Sequence, residues 1–459
     1  HESNYDDRTY VWGLASLGTA MAFAGLTDDS ALLLRRTITQ VRKLDDGHLL
    51  AHVLTAALWN NPTPEKESDH LAQALEAAEL SRQAKDYHLL CTSALFRATL
   101  GYTTGQPDEI ASAAADMELG VERTGHGYYN YWIRCVDFGQ RFLAGEFAAA
   151  ESVANDLLRM STRWKGLSAD GVHGFQTFMV RRETGRLTAV RPLITGAERP
   201  EDQWPPALLG LYTELEMRLP CERVLKWMFD AGLDEYRRSA QWGAVLALLT
   251  EAALFLEDDE TLRLIQPMLQ EFSGHNLTSA PFVALFGSAE RLLGQVESAL
   301  GIGDPVARFR VAEEMDSRMK ADVHLAGTLA ALAEHCATHE DAGCRDLGTD
   351  AVRLARGIAE PIGQVRVLNV LDRVEALNAQ RESRTVRTEH PLGLTDRELE
   401  VLRVLADGAS NKEVAERLFI SQSTAANHVR SILMKTGAAN RTKAAMMAVS
   451  EGWLSRQDD

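Results

Sequence analysis

Residues 421–435 carry side chains suited to reading a nucleic acid. Wound as a helix at about 100° per residue, they sort into three faces. Ala425, Val429, Ile432 and Leu433 share an apolar face. Ser423, Asn427, Arg430 and Met434 point the opposite way, with Ala426 beside them, and Thr424, His428, Ser431 and Lys435 line a flank. A major-groove helix needs these three surfaces: one that packs, one that reaches base edges and one that holds phosphate. Asn427 has the donor–acceptor pair that matches adenine, and Arg430 the fork that matches guanine.

Such a helix works only if its neighbours hold it still. Thr395 and Glu398 form a capping box that opens a first helix, in which Leu399, Leu402 and Leu405 follow at helical spacing and Gly408 marks the end. Ser410 and Glu413 repeat the box and open a second helix, with Val414, Ala415 and Leu418 inward. Phe419 and Ile420 fill a tight turn, Ser421 caps the third helix and Gly437 ends it. A fourth helix is expected over Thr442–Trp453. The second and third helices, joined by so short a turn, make a helix-turn-helix.

The segment resembles the LuxR-type helix-turn-helix domain. The matching residues are Leu394, Thr395, Arg397, Glu398, Glu400, Val401 and Leu402, then Gly408, Ser410, Asn411, Lys412, Glu413, Val414 and Ala415. Ser421, Thr424, Asn427, His428 and Val429 follow, then Lys435, Gly437, Asn440, Arg441, Thr442 and Ala444. The sequence departs from the family at Ala425, where Val is usual, at Ala426, often basic, and at Thr436, usually Leu. The resemblance implies double-stranded DNA as partner. Lys412, Ser421, Ser423, Thr424, Ala426, Asn427, His428, Arg430, Lys435 and Arg441 are the expected contacts. It also implies a homodimer, with Ala445 and Val449 of the fourth helix as its surface.

The 459 residues carry a formal net charge of −17. From Pro391 to Asp459 there are nine Lys/Arg and nine Asp/Glu, so the preceding body holds essentially all the excess acid. Residues 410–445 contain six basic and two acidic side chains, a local +4, so the body repels DNA while the end attracts it. Five scattered cysteines (91, 135, 221, 336, 344) without a Cys-x-x-Cys pair point to a reducing, cytoplasmic setting. His335, Cys336, His339 and Cys344 lie close in sequence, but nothing else marks a metal site, and they read as ordinary core and surface residues. Val11–Thr27 is too short and too rich in Gly and Ser for a membrane span, and Glu2, Asp6 and Asp7 before it have the wrong charge for a signal peptide.

Before residue 378 the pattern is helix after helix, without sustained period-2 runs. Gly105, Gly145 and Gly185 open turns 40 residues apart, and Glu257–Glu260, Gly301–Pro305 and Glu340–Gly343 continue the series. The unit is a helix pair longer than the about 34 residues of a tetratricopeptide repeat. The expected fold is all-α: a tetratricopeptide-like helical-repeat solenoid over 1–378 with no sheet domain, a polar linker over 379–392, and a four-helix DNA-binding domain over 393–459. Residues 287–312 resemble the repeat region of large LuxR-family regulators, in which an ATP-binding domain precedes the repeats. Trp132, Trp164, Trp204, Trp227 and Trp242, with Tyr128, Tyr129, Tyr131, Phe175 and Phe178, crowd the middle and read as repeat core, with a concave effector pocket as the sharper alternative.

No phosphate-binding glycine loop, nucleophile elbow or zinc-protease motif occurs, so neither an enzyme nor a cofactor is expected. With His1 leading directly into apolar repeat sequence, the chain reads as the nucleotide-free portion of a larger regulator, or a relative that has lost its nucleotide domain. The function expected is transcriptional regulation, the body taking a small-molecule or protein effector or associating with itself. A scaffold that uses DNA only as an anchor is the alternative.

Overall fold

The computed structural model describes residues 7–60, 63–161, 169–279, 281–338, 342–388 and 391–454. They form two compact units, His1–Leu371 and Asp372–Asp459. The first opens with α1 (Asp7–Phe23), α2 (Thr27–Val41), α3 (Gly47–Ala57), α4 (Glu67–Ala84), α5 (Tyr87–Thr103), α6 (Pro107–Thr124), α7 (Gly127–Leu143), α8 (Phe147–Ser161) and α9 (Ala169–Glu183). After two 3-10 turns come α10 (Pro205–Glu214), α11 (Arg218–Ala231), α12 (Asp234–Arg237), α13 (Trp242–Leu256) and α14 (Asp259–Gln270). Strands β1 (Asn276–Ser279) and β2 (Ala284–Ser288) follow, then α15 (Ala289–Leu300), α16 (Pro305–Arg318), α17 (Asp322–Thr338), α18 (Ala342–Ile362) and α19 (Val365–Thr388), whose range crosses the unit boundary.

Most helices pack on their sequence neighbours, though α13 packs most on α10. Glycine turns join helices within pairs, and residues of later helices cover some of those turns. Gly145 has φ +75, and a Cβ there would stand 2.7 Å from Ile362 at the end of α18. Its bareness therefore serves both the left-handed turn and the close approach. Gly105 and Gly185 stand likewise against Met315 and Val365.

Among the described residues the body is helical, as expected, except for one antiparallel hairpin, bulged between Leu277 and Thr278. Every residue of both strands is buried, the polar Asn276, Thr278, Ser279 and Ser288 included, so no alternation of polar and apolar side chains marks the strands. Tyr102 of α5 anchors it: its hydroxyl accepts from Gly287 N–H at 3.0 Å and its carbonyl accepts from Asn276 Nδ2 at 2.8 Å. Over 379–388 the expected linker is helical, because Ala, Gln, Arg and Glu favour a helix and no Gly or Pro intervenes before Pro391.

The described aromatics of the middle belong to one core except Tyr129, whose hydroxyl lies 3.2 Å from Thr92 Oγ1. Tyr131, Trp132 and Trp242 are buried in it, and Tyr128, Phe175, Phe178, Trp204 and Trp227 pack against it half-buried. Trp164 and His339 lie outside the described residues. His335 Nδ1 lies 2.7 Å from Ser298 Oγ, and Cys336 is buried. Among the described residues no helix is long and apolar enough to cross a membrane.

The same core closes over charge. Arg182 of α9 reaches Glu251 of α13 at 2.6 Å and Glu214 of α10 at 3.4 Å. Arg366 of α19 meets the same two carboxylates at 3.4 and 3.0 Å, and Gln364 donates to Glu183 at 2.8 Å. Burial pushes the Glu251 carboxyl up, but Arg182 and Arg366 outweigh it and hold it at about 2. Removing one partner strands a buried charge. Arg182→Met should cost about 3–5 kcal/mol, and Arg182→Met with Glu251→Met should recover most of it. Urea unfolding of the full chain tests this; a single variant that unfolds like the wild type would show that the cluster does not constrain the body.

Candidate nucleic-acid interface

The second unit holds four further helices, α20 (Asp396–Ala406), α21 (Asn411–Arg417), α22 (Gln422–Thr436) and α23 (Arg441–Ser450). Both capping boxes form as expected. Thr395 N–H donates to Glu398 Oε2 at 2.7 Å, and Ser410 N–H to Glu413 Oε2 at 2.7 Å, while each hydroxyl accepts from the corresponding glutamate N–H. Gly437 closes α22 in the left-handed conformation. α23 stops at Ser450, three residues short of the expected Trp453, with Gly452 at φ +72 after it.

α22 buries Ala425, Val429 and Ile432 in a core shared with Leu399, Leu402, Leu405, Val414, Ala415 and Ala444, and Leu433 is half-buried against it. Ser423, Asn427, Arg430 and Met434 are exposed, and Ala426, Thr424 and His428 are half-buried. Ser421 caps the helix, accepting from Thr424 N–H at 3.1 Å, and its hydroxyl also meets those of Ser423 and Thr424 at 2.8 and 2.7 Å. The helix N-terminus is thus a cluster of exposed donors, the usual surroundings of a phosphate. Lys412 on α21 and Arg441 at the start of α23 are exposed as well.

Three placements differ from the sequence-based picture. Lys435, expected on the phosphate flank, gives its ammonium to Glu398 Oε2 at 2.7 Å, and Ser431 donates to Glu398 Oε1 at 2.6 Å. The capping glutamate of α20 therefore also clamps the far half of α22. The capping pattern reveals one oxygen's work and is silent on the partner 37 residues away. Phe419, expected to fill the turn, is 95% exposed. Ala445, expected on a dimer surface, is buried, and Met446 and Val449 are the exposed apolar residues of α23.

Residues 392–448 match the family described as bacterial regulatory proteins, luxR family. This second unit is therefore a luxR-family helix-turn-helix domain. Similar proteins include the transcriptional regulatory protein DegU of Brevibacillus brevis, 44% identical over 61 residues, 13% of this chain and 26% of that one. The transcriptional regulatory protein LnrK of Bacillus subtilis is 48% identical over 61 residues, 13% and 28% of the two chains. The DNA-binding transcriptional activator DevR/DosR of Mycobacterium tuberculosis is 34% identical over 97 residues, 21% and 44%. The chain thus spans between about a quarter and less than half of the length of these relatives.

Burial pushes the Glu398 carboxyl up, but bonds from Lys435, Ser431 and Thr395 outweigh it and hold it at about 2, against an ordinary 4.5. A carboxyl held below its unfolded value adds stability that is complete above about pH 4.5 and is lost as pH falls toward 2. Glu398→Gln should cost the domain about 1–3 kcal/mol near neutrality and remove this part of its acid sensitivity. Thermal unfolding of both chains between pH 2 and 7 reads it; parallel pH curves would sink the assignment.

Proposed function

We propose that this chain is a cytoplasmic bacterial transcriptional regulator that reads promoter DNA with α22. The observation that carries the reading is the division of α22. Ala425, Val429, Ile432 and the Glu398 clamp fix one side, and Ser423, Asn427 and Arg430 are exposed on the other. Inserted in a major groove, Arg430 pairs with guanine and Asn427 with adenine, with Ser423, Ala426 and His428 alongside. Ser421, Thr424, Lys412 and Arg441 take phosphates, and Lys435 acts through Glu398 as a positioning residue. The chain acts as a homodimer on half-sites about 10 bp apart. Met446 and Val449 supply its surface, since their exposure leaves them available and Ala445 is spent in the core. The helical body, residues 1–378, takes the signal from a small-molecule or protein effector.

Sequencing the DNA that the chain retains from a random pool should return a two-part motif. Arg430→Ala should lose about 1–3 kcal/mol and relax preference at one base per half-site. Retention without sequence preference would favour a scaffold anchored on DNA instead. Wild-type preference in Arg430→Ala would show that the reading face is misassigned.

A further inference from the structure

Two phenylalanines have a left-handed backbone, a conformation disfavoured for any residue with a side chain. Phe282, at φ +57, is 1% exposed and packs edge-on to Tyr102 with ring centroids 5.8 Å apart, so core burial offsets its strain. Phe419, at φ +52, is 95% exposed, the highest exposure of any large apolar side chain among the described residues. Its left-handed backbone closes the end of α21, where Ile420 N–H donates to Ala415 O, but its ring lies outside the domain's core. An unburied aromatic on so fixed a turn points to a partner outside the domain.

Its position says which partner. Phe419 lies two residues before Ser421, the cap of α22, inside the turn of the helix-turn-helix. The turn is fixed on both sides: Ile420 N–H donates to Ala415 O at 3.0 Å, and Arg397 Nη2 to Leu418 O at 2.6 Å. The ring is therefore carried on a braced backbone beside the exposed Ser421 and Ser423 and the half-buried Thr424, within the stretch of local charge +4. We infer that Phe419 is a DNA-contacting, specificity-determining residue that packs on a thymine 5-methyl at the edge of the half-site. This rests on the function proposed above. It adds an apolar readout to the polar one of Asn427 and Arg430, since a thymine methyl is the apolar mark of the major groove and phenylalanine is among the side chains that read it.

The test uses the full chain and the DNA it selects, with each thymine replaced in turn by uracil, which lacks the methyl. Wild type should lose about fivefold or more in affinity at one thymine per half-site. Phe419→Ala and Phe419→Gly should show a similar loss on the parent DNA and no further loss at that uracil. Phe419→Gly, relieved of strain, should melt no lower than wild type. Arg430→Ala should bind more weakly yet keep the uracil effect. The inference is overturned if the Phe419 variants bind like wild type, keep the uracil effect, or lose affinity while wild type is indifferent to every uracil. If wild type selects no sequence, the functional reading itself fails and this contact with it.

Discussion

The orientation of α22 depends on one carboxylate. Glu398 closes the capping box of α20 through one oxygen and receives Lys435 and Ser431 of α22 on its two oxygens. One residue thereby sets where the first helix starts and how the third is rotated about its axis. Rotation matters more than strength here. A turn of one residue, about 100°, would bring Ala425 or Val429 to the surface and swing Arg430 off the face it shares with Asn427. The apolar core of the domain is small and rich in alanine, which constrains rotation weakly, so directional bonds carry much of the definition.

The body follows the same logic on a larger scale. Helix pairs supply the bulk of the burial, while polar contacts tie parts of the chain that are far apart in sequence. Arg182 and Arg366 share carboxylates from α10 and α13, and Tyr102 joins α5 to both strands. Buried ion pairs stabilise little in net terms, because desolvation offsets the attraction. Their effect lies in what happens if a partner is misplaced: a misregistered α19 would leave three glutamates short of a cation in the core.

Local chemistry made much of this legible in the sequence. Thr395–Glu398 and Ser410–Glu413 announce two helix starts because a capping box is a pattern four residues long. The facing of Ala425, Val429, Ile432, Asn427 and Arg430 follows from helix period alone. The misjudged parts depend on distant partners. Lys435 looks like a phosphate ligand until Glu398 is brought beside it. Ala445 and Val449 share one apolar helix, and only the packing of α20 on α23 decides which of them is covered. The hairpin at 276–288 escaped because a strand buried on both faces shows no alternation. Phe419 escaped because sequence gives hydrophobicity without saying that the backbone turns left-handed there.

Tyr102 also sets a timetable. Its partners are Asn276, Gly287 and, through a 3.4 Å contact with the His324 ring, a residue 222 positions further along. At about 5–20 residues per second, the ribosome needs roughly ten to forty seconds to make that stretch. For most of that interval the inner side of α5 has no hairpin to cover it. Early helices can pair with their neighbours as they emerge, but the interior closes only after the middle of the chain is complete. Such long-range closures in a chain of this size favour a slow final step and a populated open intermediate. Expression yield should therefore respond to elongation rate and to holding chaperones more than the abundance of short-range helix contacts would suggest.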